Sequence, residues 1–176
     1  SELALGLMAL TGLTIVQADY EEAAQLAIES ITIYQETGEQ GRLAQAFALR
    51  GFAARGMGNL ATAQHLFVQA LQQVVTNPGL SPLLYIVPGV ALLFADQGDV
   101  ERAIELYAQI DEMPIVANSQ FRWDRAGKHL ATLAATLPAE VADAARTRGR
   151  AGDLWTTVAA LLAELEYTWI PQTPQH

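Results

Sequence analysis

One phrase recurs three times in the chain, and its spacing restricts the possible folds more than any other feature. The third copy reads Gly98-Asp99-Val100-Glu101-Arg102-Ala103-Ile104-Glu105-Leu106-Tyr107; the earlier copies are Ala18-Asp19-Tyr20-Glu21-Glu22-Ala23 and Gly58-Asn59-Leu60-Ala61-Thr62-Ala63. Asp19, Asn59 and Asp99 stand forty residues apart, and so do Ala23, Ala63 and Ala103. In each copy a short acceptor side chain precedes apolar residues at helical spacing, the signature of a helix start. A fixed period in this range marks a solenoid of helical hairpins, in which each unit buries its face only against its neighbours.

The rest of each unit supports this. From Glu2 to Val16, Leu3, Leu7, Leu10 and Leu13 give a helical stripe, while Leu5, Met8 and Ile15 make the segment apolar nearly all round. Such a helix needs cover on two sides. It begins in apolar text without a run-in, as a piece of a longer chain would. Glu22, three residues after Asp19, completes a capping-box pattern, and Thr37-Gly38 supplies a left-handed cap. Leu43, Phe47, Gly51 and Ala54 mark the first helix of the second hairpin, and Leu60, Ala63, Phe67 and Ala70 its second helix, which ends before the turn Thr76-Asn77-Pro78-Gly79. Ser81-Pro82 is expected to cap the third hairpin, Pro88-Gly89 to kink it, and Met113-Pro114 to end it.

Beyond residue 114 the forty-residue beat is lost. One helix is expected from Ser119 to Thr136, a short one from Pro138 to Ala145, and a last one after Asp153, with Trp123 and Trp155 in the core of this capping region. The division is three hairpins over 1–114, a helical cap over 115–168 and a frayed tail over 169–176.

Composition excludes several functions. The chain has 176 residues, 51% hydrophobic and 16% charged, which suits packed helices rather than disorder. A net charge of −9 argues against a nucleic-acid surface, since phosphate contacts need clustered Lys and Arg. With no cysteine there are no disulfides or thiolate sites, and a reducing cytoplasm fits. No apolar run reaches the roughly 20 residues of a bilayer span, so no membrane role is expected. His65 and His129 lack metal-binding spacing, Glu21-Glu22 and Glu101 with Glu105 suit helix starts, and Gly51, Gly56 and Gly58 form no phosphate loop. No catalytic, metal or cofactor residues are assigned, and no enzyme is expected.

The units resemble the tetratricopeptide repeat. The second carries the likeness best, at Gly51, Gly58, Leu60, Ala63, Phe67 and Ala70; the third matches at Gly98, Ala103 and Tyr107, and the first at Tyr20 and Ala23. The whole chain, from its "QGDVERAIELY" repeat to the Ala144–Arg150 segment and the Ala/Leu-rich helix after it, is similar to the C-terminal helical-repeat region of large bacterial LuxR-type regulators. The resemblance implies an all-α superhelix of antiparallel hairpins with a helical cap, acting as an interaction or sensor arm without catalytic residues.

In such a stack the first helices of the hairpins line the concave side. By register that face carries Met8, Gly12 and Ile15, then Gln45, Phe52 and Arg55, then Tyr85, Leu92 and Asp96. A groove this apolar is either a binding site or an internal contact, covered by the helix from Ser119 or by repeats upstream. As a site, it would hold an amphipathic peptide or a small apolar effector on Phe52, Tyr85 and Leu92, with Arg55 and Asp96 fixing its polar end. A protein or peptide is the expected partner, a second copy of the chain among the alternatives. Arg146, Arg148 and Arg150 form a basic cluster that could receive an acidic partner or complement a helix dipole.

Overall fold

The computed structural model describes residues 1–168, so the expected frayed tail lies outside the described residues. Five long helices come first: α1 (Glu2–Val16), α2 (Tyr20–Thr37), α3 (Gln40–Gly56), α4 (Leu60–Thr76) and α5 (Leu80–Asp96). A shorter α6 (Val100–Tyr107) completes the third hairpin. The second helices begin at residues 20, 60 and 100, and the first helices end at 16, 56 and 96, so the forty-residue beat is a structural period. Among the described residues there is no strand.

The starts are built as the sequence dictates. Asp19, Asn59 and Asp99 each accept from the backbone N–H three residues on, at 3.3, 3.2 and 3.1 Å. Each satisfies one of the amides that a first turn leaves without a partner. The preceding residue is left-handed in all three turns, with φ of 62° at Ala18, 79° at Gly58 and 87° at Gly98. Two of the three carry the residue that this backbone favours, and Ala18 does not.

Packing follows from small residues. Ala23, Ala63 and Ala103 are fully buried. A β-carbon at Gly56 would lie 2.3 Å from the Tyr20 ring, and β-carbons at Gly51 and Gly89 would lie 2.9 and 2.3 Å from Phe67. Phe67 thus wedges between the first helices of the second and third hairpins because both lack a side chain there. α1, α3 and α5 lie side by side on one face of the stack, and α5, packed on α3, α4 and α6, is buried almost all round.

The third hairpin and the cap differ from the sequence reading in four places. α5 starts at Leu80 with Gly79 as N-cap, placing Ser81 and Pro82 inside the first turn, where the missing proline N–H is still one of the unpaired amides. α6 is regular only to Tyr107, and tighter turns carry the chain to Met113. The helix expected from Ser119 to Thr136 is broken into α8 (Gln120–Arg122), a π-helical turn (Trp123–Gly127) and α9 (Lys128–Ala134), with a short α7 (Pro114–Ala117) before it. The expected short helix is longer, α10 (Ala139–Ala151), and α11 (Leu154–Thr168) follows, capped by Asp153 accepting from the Thr156 N–H at 2.8 Å.

Nor do the tryptophans build the cap: Trp123 and Trp155 are 45% and 43% exposed. Its buried apolar side chains include the smaller Leu130, Val158, Leu161 and Leu165. Two of the three clustered arginines, Arg148 and Arg150, instead bind the cap to the third hairpin. A β-carbon at Gly149 would lie 2.1 Å from the Glu105 carbonyl oxygen, so α10 and α6 touch backbone to backbone. On either side of that glycine Arg148 pairs with Glu101 and Glu105 (2.5 and 3.0 Å), and Arg150 with Asp111 and Glu112 (3.4 and 3.1 Å). The acidic partners of these two arginines are therefore α6 and the turns after it, while Arg146 pairs within α10 with Asp143 at 2.9 Å.

Candidate concave groove

The groove lies where α1, α3 and α5 run side by side. A trough of about 680 Å³ opens between them, lined by Leu5, Met8, Gly12, Gln45, Tyr85 and Phe121 among others. Leu5, Gln45 and Tyr85 are forty-residue equivalents, one from each hairpin, so the repeat itself builds the wall. Gln45 Nε2 donates to Ser81 Oγ at 2.8 Å and ties α3 to α5 at this end. At the other end Arg55 makes a two-point pair with Asp96, Nε to Oδ2 at 2.5 Å and Nη2 to Oδ1 at 2.8 Å. That exposed pair leaves the two side chains committed to each other.

Three of the expected groove residues, Ile15, Phe52 and Leu92, are buried and not available at its surface. Leu92 is fully buried, because α5 is enclosed between neighbouring helices and has no free face at that level. Phe52 is 3% exposed, covered by the chain's own segment after Ser119. Met8, Gln45 and Tyr85 line the trough as the register implies.

The middle of the groove is filled by α8 and the π-helical turn. The Phe121 ring lies over α1 where a β-carbon at Gly12 would come within 2.4 Å of it, so Gly12 forms its seat. One helical turn later Arg125 lays its guanidinium over Phe52, Tyr85 and Phe121, 4.9, 4.8 and 5.3 Å from the ring centroids. Arg122 approaches Tyr85 at 5.0 Å and donates to the Leu84 carbonyl at 3.0 Å, an acceptor that Arg125 Nη2 reaches at 3.5 Å. Among the described residues, neither arginine makes an ion pair with a carboxylate, and Arg125 Nε and Nη1 are buried without a hydrogen-bond partner. Burial pushes the Arg125 guanidinium down to about 10, with the nearby Arg122 charge acting in the same direction.

Sequence reasoning missed Arg125. The available signal was an arginine four residues after Phe121, on a helix face otherwise made of Phe121, Ala126 and Leu130. A charged residue on a core-facing stripe needs a specific receptor, and here it is three aromatic faces.

A second cavity of about 660 Å³ lies between α6, α9 and the linking turns, lined by Ile104, Tyr107, Asp111, Trp123 and Leu130 among others. Burial raises the Asp111 carboxyl above its ordinary range despite the Arg150 pair, and its Oδ1 is buried without a hydrogen-bond partner among the described residues. No protein-family model, curated protein or solved structure matches the chain. The fold is an all-α helical repeat. Among the described residues no group of His, Cys, Asp or Glu could hold a metal ion, and no helix is long and apolar enough to cross a membrane.

Proposed function

We propose that the chain is a non-catalytic scaffold that binds a protein or peptide segment along its concave face, as a tetratricopeptide-like regulatory arm of a cytoplasmic bacterial signalling or transcription regulator. The observation that carries this reading is the trough between α1, α3 and α5, apolar at Leu5, Met8 and Tyr85 and polar at Gln45 and Ser81. Its volume and mixed lining suit an amphipathic segment that buries one face. The test is a peptide-display selection on the intact chain, repeated on Leu5→Glu and Gln45→Lys. Peptides that bind the parent chain should lose at least tenfold in affinity on both variants while both keep the parent's helical circular dichroism, the melting temperature falling only for Gln45→Lys, which gives up the Ser81 hydrogen bond. Peptides that bind all three chains equally well would place the interaction elsewhere.

A second reading, a small-molecule sensor, rests on the cavity beside α6. Its apolar walls and the unpartnered Asp111 Oδ1 give a ligand both a place to bury and a group to pair with. An effector there would act by binding one state of the cap better than another.

A further inference from the structure

The concave face already holds one occupant, and that occupant describes the partner. Phe121 sits in the notch at Gly12, and Arg125, four residues on, lies in a cage of Phe52, Tyr85 and Phe121 itself. Resting on the reading of this face as a binding groove, we propose that its external partner is a helical segment with an aromatic residue four positions before an arginine. This segment takes the places that Phe121 and Arg125 hold, so the chain's own 119–127 stretch acts as an internal competitor.

Three observations favour exchange over a permanent cap. First, the internal fit is incomplete: a guanidinium is buried with two nitrogens unpartnered and no carboxylate, an arrangement that gains from the rings but loses the hydration of a full charge. Second, the stretch is interrupted, a three-residue helix running into a π-helical turn behind a four-residue helix. Such interrupted segments belong to the low-stability end of a structure, and π-helical turns cluster at functional sites. Third, the open trough adjoins the occupied part through shared residues Gly12, Tyr85 and Phe121. An incoming segment can therefore start on free surface and advance by displacing the internal one. Charge acts in the same direction, since a chain of net charge −9 attracts a basic partner and the cage accepts a cation.

The probe is a labelled peptide of this chain's own residues 119–128, added in trans to the full chain. Phe121→Ser empties the notch, and on that variant the peptide should bind at least tenfold tighter than on the parent chain. A peptide with alanine at the Arg125 position should lose that gain. Gly12→Leu should also release the internal stretch, seen as faster hydrogen exchange over 119–127, yet should not bind the peptide, because the notch is filled. Should Phe121→Ser not fold, the parent chain serves: millimolar peptide should speed exchange of its own 119–127 stretch, and an unchanged rate would overturn the proposal. It is equally overturned if the stretch is released in Phe121→Ser and the peptide does not bind, or if parent and variant bind it equally. Failure here with the Leu5- and Gln45-dependent binding intact removes only the arginine partner; loss of both removes the groove itself.

Discussion

The turn at residue 18 gives a prediction that follows from the repeat alone. Ala18, Gly58 and Gly98 occupy equivalent positions at φ of 62°, 79° and 87°. An L-residue in this region costs about 1–2 kcal/mol, and the greater freedom of glycine in the unfolded chain takes back roughly 0.5–1 kcal/mol. Ala18→Gly should therefore stabilise the protein by about 0.5–1 kcal/mol. Gly58→Ala and Gly98→Ala should destabilise it by a similar amount, about 1 kcal/mol. Neither glycine has any atom within 4 Å of where its β-carbon would stand, so the two losses would be backbone strain uncomplicated by packing. Urea titration with the slope held under scrutiny is the assay, and a chain of this size should also shift its melting temperature by roughly 2–4 °C per kcal/mol. If Ala18→Gly leaves the midpoint unchanged, or moves it in the same direction as Gly58→Ala, the three turns are not equivalent and the period is not structural.

Other outcomes follow from the packing. Ala63→Leu should cost about 1–3 kcal/mol by overpacking a fully buried contact, read by the same titration. Gly149→Ala should also cost about 1–3 kcal/mol, because the added methyl meets the Glu105 backbone, and hydrogen exchange in α10 should rise before that in α3. At Asp111 burial raises the folded pKa above the unfolded one, so the carboxyl favours folding while protonated and that contribution is lost as pH rises through the folded value. Asp111→Asn should therefore gain stability relative to the parent chain as pH is raised from below the ordinary aspartate range towards neutrality, measured by melting curves at matched ionic strength.

The hairpins were legible because their signals are local. Asp19, Asn59 and Asp99 cap within three residues of themselves, and the alanines that follow each cap report close helix contacts by spacing alone. Met8, Gln45 and Tyr85 line the groove because register within straight helices carries over. What was not legible depended on contacts between distant residues. Leu92 is enclosed because α5 is covered by neighbours at that level, which its own apolar text could not distinguish from a groove wall. The break after Ser119 arises where the chain turns into the groove, so Phe121 and Arg125 answer to Gly12, Phe52 and Tyr85 rather than to helical propensity. The same holds for Arg148 and Arg150, whose partners Glu101, Glu105, Asp111 and Glu112 lie roughly forty residues earlier. Trp123 and Trp155 show the limit of reading size as burial.

The stacked hairpins present one face with the chain's own segment seated on it, and the Phe121 ring against Gly12 is the contact that joins the segment to the stack. Nuclear Overhauser spectroscopy of the labelled protein reads it directly. Strong cross-peaks between the Gly12 α-protons and the Phe121 ring, with the glycine resonance moved upfield by the ring current, are the predicted result. A folded helical protein in which Gly12 shows no aromatic neighbour would contradict it.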